Sequence, residues 1–162
     1  MLAEDVNYCP RCGTRLEEEE RAGKVRPVCP DCDWIFFPDP KVAVASIVIQ
    51  AGKVLLVQRA HQPFRGKWML PAGFVDAGED PEEAALREVF EETNLKVQLQ
   101  ELWMVLSGQE YDKGAHILIV YKAAILGGEL SAGDDAVQAD FFNLDALPDL
   151  AFSSTKEILS TL

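Results

Sequence analysis

Residues 73–95, Gly73-Phe-Val-Asp-Ala-Gly-Glu79-Asp-Pro-Glu-Glu-Ala-Ala-Leu-Arg87-Glu88-Val-Phe-Glu91-Glu92-Thr-Asn94-Leu95, join a glycine-bearing loop to a helix crowded with acid. At roughly 100° per residue, Glu88, Glu91 and Glu92 fall within an arc of about 100°. Ala85, Leu86, Val89, Phe90 and Thr93 are expected on the opposite side, as the face that packs. Carboxylates three and four residues apart repel one another on a helix. An ordinary solvated face accounts for any one of these glutamates, but three on one stripe call for a cation or a neighbouring base. Oxygen ligands of this kind suit Mg²⁺ or Mn²⁺, which shares its remaining positions with water and substrate phosphate. Arg87 has the four-residue spacing to reach Glu83 and Glu91.

All four cysteines lie in the first 32 residues, as Cys9-Pro-Arg-Cys12 and Cys29-Pro-Asp-Cys32 with sixteen residues between the pairs. Two matched C-x-x-C pairs read as the four ligands of one structural zinc ion, in the manner of a zinc ribbon. Two disulfides are the alternative. The leading Met1-Leu2-Ala3-Glu4-Asp5 does not read as an export signal, so a cytoplasmic location and reduced thiols are expected.

The prolines of Phe36-Phe37-Pro38-Asp39-Pro40 bar regular ladder pairing, which sets the expected units at 1–37 for the ribbon and 38–162 for the main domain. Branched residues at 42–49 and 54–58, separated by Ala51-Gly52-Lys53, predict a hairpin feeding a buried sheet. Further strands are expected over 97–107, 115–125 and 137–142, broken by Asp112-Lys113-Gly114, Gly127-Gly128 and Gly133-Asp134-Asp135. A second helix is expected over 153–162. One carboxylate helix among strands and another at the end imply an α/β fold with a mixed sheet covered on both faces.

The net charge of −12 and pI near 4.5 disfavour binding to nucleic acid or an anionic membrane. They leave phosphate substrates open, since a divalent ion between carboxylates and pyrophosphate oxygens reverses the local sign. The run Glu17-Glu18-Glu19-Glu20 interrupts what Arg11, Arg15, Arg21, Lys24 and Arg26 would otherwise offer to nucleic acid.

The segment from Gly73 resembles the Nudix box, in which a glycine, a glutamate six residues on, and Arg-Glu-x-x-Glu-Glu follow at fixed spacing. Gly73, Glu79, Arg87, Glu88, Glu91 and Glu92 match, as do the apolar Val89 and Leu95. Asn94 stands where the family has glycine, and Asn tolerates the left-handed conformation that ends a helix. Leu55 to Arg59 and Gly66 to Gly73 are similar to the strand and loop that lead into the box. Pro40 to Val44, Leu150 to Ser154 and the ribbon resemble a subgroup that includes FAD and ADP-ribose pyrophosphatases.

This resemblance implies an α/β/α sandwich and Mg²⁺- or Mn²⁺-dependent hydrolysis of a nucleoside diphosphate joined to another group. It implies Glu88, Glu91, Glu92 and the Gly73 backbone as Mg²⁺ ligands, and Cys9, Cys12, Cys29 and Cys32 as zinc ligands. Glu88, Glu91, Glu92, Arg87 and Asp135 are the expected catalytic residues. The base is Glu88, Asp135 or its neighbour Asp134, unless these last two form an ordinary polar turn. Glu79 either favours the helix dipole or shapes the metal loop. Arg59, Trp68 and Phe37 are expected at the substrate; Trp68, Phe36, Phe37 and Tyr111 are rings able to stack on a base, with core or interface roles as the alternative. Relatives that hydrolyse NADH carry a proline-rich element after the box, and many that hydrolyse ADP-ribose carry a proline about fifteen residues beyond it. Leu106 to Tyr111 has neither, which leaves FAD and ADP-ribose ahead of NADH. A homodimer is expected. The other functional class weighed is a non-catalytic nucleotide sensor acting through the ribbon.

Overall fold

Apolar, largely branched residues fill 42–49 and 54–57, and the strands they form are buried on both sides. The computed structural model describes residues 6–108, 110–111 and 114–162, in two compact units, Met1–Pro40 and Lys41–Leu162. Met1 to Asp5, read above for an export signal, and Asp112-Lys113 of one expected strand break lie outside the described residues.

In the first unit the glutamate run is a strand. β1 (Glu17–Arg21) pairs antiparallel with β2 (Lys24–Val28), and Glu19 faces Arg26 across the ladder. The turn uses Ala22 and Gly23, both at positive φ, as a two-residue hairpin of matching twist demands. Alternation along the strand sends neighbouring glutamates to opposite faces, which spreads their charge.

In the second unit β3 (Val42–Gln50) and β4 (Lys53–Arg59) form the expected hairpin, but they pair only at Ile49 with Val54 and Gln50 with Lys53. Beyond that the strands diverge. β5 (Trp68–Met69) pairs with β4 and β6 (Ala72–Phe74) with β3, so the segment between them bridges the fork. β3 also runs parallel to β8 (Ile117–Gly127), which is antiparallel to β7 (Lys96–Ser107), while β9 (Ala136–Asn143) lies antiparallel to β4. The sheet is mixed, as the sequence implied.

Successive residues of β3 point to opposite faces. Ala45 and Ile47 pack with Leu56, Leu70, Val120, Ile158 and Leu159, which buries helix α2 (Ser153–Leu159) on that side. Val44 and Val48 pack instead against Ala84, Ala85 and Val89 of helix α1 (Pro81–Thr93). The two helices therefore cover the sheet as an α/β/α sandwich. α2 is shorter than expected, and its apolar Ile158 and Leu159 are buried while Leu162 is exposed.

α1 starts where its sequence says it should. Asp80 accepts a hydrogen bond from the Glu82 N–H at 2.8 Å, and Pro81 follows at the first position, where no N–H is needed. It ends on Asn94 at φ 56°, whose N–H donates to Phe90 O at 2.7 Å. Its packing face differs from the one expected. Leu86 and Phe90 are 37% and 45% exposed, whereas Glu88 and Glu92 are 9% and 1% exposed, in line with the buried Ala84, Ala85, Val89 and Thr93. The helix is rotated toward β6, whose backbone receives the two glutamates.

Candidate active site

The short strand β6 and helix α1 meet at two carboxylates. Glu92 Oε2 accepts the Ala72 N–H at 3.0 Å, which fastens the helix to the strand. The Glu88 carboxylate lies against Gly73, where a Cβ would collide with it, so the close approach requires glycine. The other Glu92 oxygen, Oε1, is buried with no hydrogen-bond partner among the described residues. Burial pushes Glu92 well above the usual carboxylate range, despite the Ala72 N–H, and the nearby Asp135 and Glu88 charges push it further. Burial also raises Glu88, against the pull of Arg87. Carboxylates resist such crowding unless a cation answers it.

Arg87 ties the rest together. Its Nε and Nη2 donate to the two oxygens of Glu79 at 2.7 and 2.9 Å, Nη1 to Glu88 at 2.6 Å and Glu91 at 3.0 Å, and Nη2 also to Phe74 O at 3.1 Å. Glu83, one of the two expected partners, is not among them. Glu79 Oε2 further accepts the Asp76 N–H at 2.9 Å. Arg87 first and that N–H second bring the Glu79 pKa down to about 2. Glu79 thus buttresses the loop between β6 and α1 and stands outside the helix, which begins two residues later.

Asp135 approaches from the other side of the helix end. The carbonyls of the last turn of α1 need donor partners, and the Gly133 and Ser131 N–H groups donate to Glu92 O at 3.2 Å and Thr93 O at 3.0 Å. Asn94 Nδ2 donates to Glu129 O at 3.0 Å. Docked this way, the loop before β9 carries Asp135 close enough to raise both Glu92 and Glu88. The structure therefore brings Gly73, Arg87, Glu88, Glu92 and Asp135 together, with the more exposed Glu91 at the rim. An orphaned oxygen, a glycine cradle and an all-oxygen donor set fit a Mg²⁺ or Mn²⁺ ion.

On the opposite face of β6 a cavity of about 120 Å³ is lined by Ala43, Ala45, Ala72, Gly73, Phe74 and Leu118 among others. Arg59 stands in its wall, donating to Pro63 O at 2.9 Å, with its guanidinium 5.1 Å from the Phe152 ring centroid. Its charge has no carboxylate partner among the described residues. Trp68 lies elsewhere: it packs edge-on against Phe142, at 4.7 Å between centroids, beside the core cluster of Ile47 and Leu56. Phe37 belongs to the first unit, under the Arg26 guanidinium at 4.6 Å. His116 accepts the Lys41 N–H at Nδ1.

The sequence reading assigned no role to Glu110, Phe64 or Phe152. Glu110 caps the start of α2 from 43 residues away, and Phe64 and Phe152 pack with Tyr111. No periodicity marks a bond of that range; the Ser153-Ser154 pair at a helix start was the one local hint.

In the first unit the four thiols lie within 4.8 Å of one another. Neighbouring sulfurs are 3.4 to 3.6 Å apart, too far for disulfides and near the edge of about 3.8 Å that a Zn–S tetrahedron requires. Each pair is followed by a left-handed residue, Gly13 at φ 77° and Asp33 at φ 54°, whose N–H returns to the first cysteine's carbonyl. The thiols are unequal. Hydrogen bonding to Thr14 lowers Cys12 to about 6. The Trp34 N–H lowers Cys32, but the neighbouring thiol of Cys29 and burial outweigh it and bring Cys32 up to about 12.

The family described as NUDIX domain matches residues 39–162. An ADP-ribose pyrophosphatase of Methanocaldococcus jannaschii is 46% identical over 120 residues, 74% of this chain and 71% of the relative. An NAD-capped RNA hydrolase, NudC, of Pseudomonas aeruginosa is 30% identical over 151 residues, 93% of this chain but 52% of the relative, so the chain spans about half of that protein. The crystal structure of a NUDIX hydrolase from Nitrosomonas europaea superposes with a TM-score of 0.86 at 32% identity, covering 95% of this chain and 88% of the other.

Proposed function

Because this chain belongs to the Nudix family, we propose that it is a pyrophosphohydrolase that cleaves a nucleoside diphosphate linked to another group, with ADP-ribose as its foremost substrate. The observation that carries the reading is the buried Glu92 Oε1, without a hydrogen-bond partner among the described residues, beside Glu88, Gly73 and Asp135, an arrangement that costs stability when the carboxylate is ionised unless a cation is bound. Support for the substrate comes from the relative at 46% identity, named an ADP-ribose pyrophosphatase. NAD-type compounds follow, on the likeness to NudC, and FAD rests on the resemblance of the ribbon and the C-terminal segment alone.

Glu88, Glu91 and Glu92, with the Gly73 backbone, would hold Mg²⁺ or Mn²⁺. A bound ion there supplies positive charge against the phosphates and acidifies water. Arg87 aims the carboxylates of Glu88 and Glu91, and through Glu79 fixes the loop that lines the site. Asp135, next to Glu92 and Glu88, takes the proton of the attacking water. Arg59 receives a phosphate at the mouth of the cavity, and the cavity takes one of the two halves of the substrate. The four thiolates of the first unit would hold a structural zinc, closed to substrate.

A turnover panel of ADP-ribose, NADH, FAD, diadenosine polyphosphates and nucleoside triphosphates, with Mg²⁺, Mn²⁺ or chelator, tests this. Release of AMP from ADP-ribose that requires the cation is expected; no cation-dependent release from any compound would reject the reading. Native mass measured on the same preparation tests the expected homodimer.

A further inference from the structure

The cavity behind β6 is closed on one side by two segments remote in sequence, and one carboxylate joins them. Helix α2 begins at Ser153 after Phe152, which makes no side-chain cap, although the first N–H groups of a helix need acceptors. Glu110 supplies them. Its Oε2 accepts the Ser153 N–H at 2.6 Å and the Ser153 hydroxyl at 3.0 Å, and its Oε1 accepts the Ser154 N–H at 2.8 Å. Both oxygens are engaged within the protein. Burial would raise this carboxyl, but the bonds from Ser154 and Ser153 outweigh it and hold it below the ordinary range.

The next residue, Tyr111, lies nearly parallel to Phe152, with 19° between planes and 6.3 Å between centroids. Phe64 meets both rings edge-on, at 6.4 and 5.3 Å. Behind Tyr111, Gly114 leaves room for the ring: a Cβ there would sit 3.0 Å from Cε1. Tyr111, Phe152 and Arg59 all line the cavity. Two flat apolar faces and a guanidinium are suited to a planar ring next to a phosphate. None of these three bonds goes to a residue of the α1 cluster.

The geometry points to Glu110 as a positioning residue that sets substrate preference: by clasping α2 to Tyr111 it holds the Tyr111–Phe152 wall against which the base of the substrate stacks. This rests on the proposed pyrophosphohydrolase reading and specifies which half of the substrate the cavity takes. The AMP half enters it, and the distal half stays outside.

The two products of ADP-ribose cleavage separate the possibilities, because AMP carries a planar aromatic base and ribose 5-phosphate does not. As competitive inhibitors of the parent, AMP is expected to bind at least about tenfold tighter than ribose 5-phosphate. Glu110→Ala is expected to cut that ratio to about threefold or less and to raise KM for ADP-ribose, while kcat changes by less than about threefold. Glu110→Gln, which keeps acceptor capacity on one oxygen, is expected between the two. Parallel weakening of both inhibitors, an unchanged ratio in Glu110→Ala, or a ratio near one in the parent overturns the inference. Where circular dichroism finds Glu110→Ala unfolded, Tyr111→Leu decides: a collapsed ratio supports the wall and a retained one overturns it. Should the parent turn over no substrate, the functional reading fails by itself, and calorimetric binding of AMP against ribose 5-phosphate still decides the clasp.

Discussion

Replacing Glu92 with Gln should make the metal-free protein more stable and a far poorer catalyst. Glu92 is 1% exposed; one oxygen holds the Ala72 N–H at 3.0 Å and the other has no partner among the described residues. Glutamine has the same shape, keeps the acceptor for Ala72, and puts an amide donor where the orphaned oxygen faces neighbouring acid. Leaving a buried polar atom unsatisfied costs about 1–3 kcal/mol, so relief of about 2 kcal/mol is expected. For a domain of this size that is on the order of 6–8 °C in Tm. The pH sign follows from the raised pKa. A neutral Glu92 contributes stability that is fully present below its unfolded pKa and is lost as pH rises through the higher folded value. The variant's advantage should therefore be smaller at pH 5 than at pH 8. Scanning calorimetry in chelator at both values, then with Mg²⁺, reads each part: Mg²⁺ should raise the parent's Tm much more than the variant's. Turnover should fall by about two orders of magnitude or more. A Glu92→Gln variant less stable than the parent at pH 8 without metal, or as active at limiting Mg²⁺, would refute the reasoning.

Gly73→Ala adds a Cβ where the Glu88 carboxylate lies, so turnover should drop at least tenfold, by the order expected when a catalytic carboxylate is displaced; parental kcat and Mg²⁺ response would count against the cradle. Asn94→Gly keeps the left-handed cap but loses the bond to Glu129 O, so denaturant melts should register about 1 kcal/mol of destabilisation with activity intact. Cys29→Ser should release the zinc and disorder the first unit, because the binding energy of such a site is folding energy for so small a module. Metal analysis and limited proteolysis check this, and hydrolysis lost with zinc still bound would mean that the ribbon contributes chemistry.

The long strands were legible because runs such as 42–49 and 54–57 are rich in branched apolar residues and separated by a glycine turn, a signal that survives without any tertiary information. β5 and β6 were not, since two- and three-residue strands around Pro71 and Gly73 carry no period; they exist because β3 and β4 diverge and leave ladder groups to be filled. The residues of the carboxylate cluster were legible from spacing, but the face of α1 was not. Binary patterning sends charge outward and leucine inward, whereas here Glu88 and Glu92 turn in and Leu86 and Phe90 turn out. A violated pattern of this kind is what a site built for a cation produces, because the buried charge has a purpose other than packing. The strand at Glu17 to Glu20 had no sequence signal either: a run of like charge has no strand propensity, and pairing with Val25, Arg26, Pro27 and Val28 makes it one.

β6 explains why the two halves of the proposed chemistry sit back to back. Its register puts Gly73 opposite Val44, whose side chain packs on the α1 side with Ala84 and Ala85, and puts Ala72 and Phe74 opposite Ala45 and Ala43, which line the cavity. One three-residue strand therefore gives its backbone to Glu92 and Glu88 on one face and forms the wall of an apolar pocket on the other. A chain of net charge −12 repels a diphosphate everywhere except where a cation stands. Two cationic points answer it, the ion expected at the glutamates on one side of β6 and Arg59 at the cavity on the other. A substrate able to satisfy both must have its phosphates at the rim of that strand and its ring behind it. That geometry suits a diphosphate with a base at one end, and gives a free phosphate no use for the cavity.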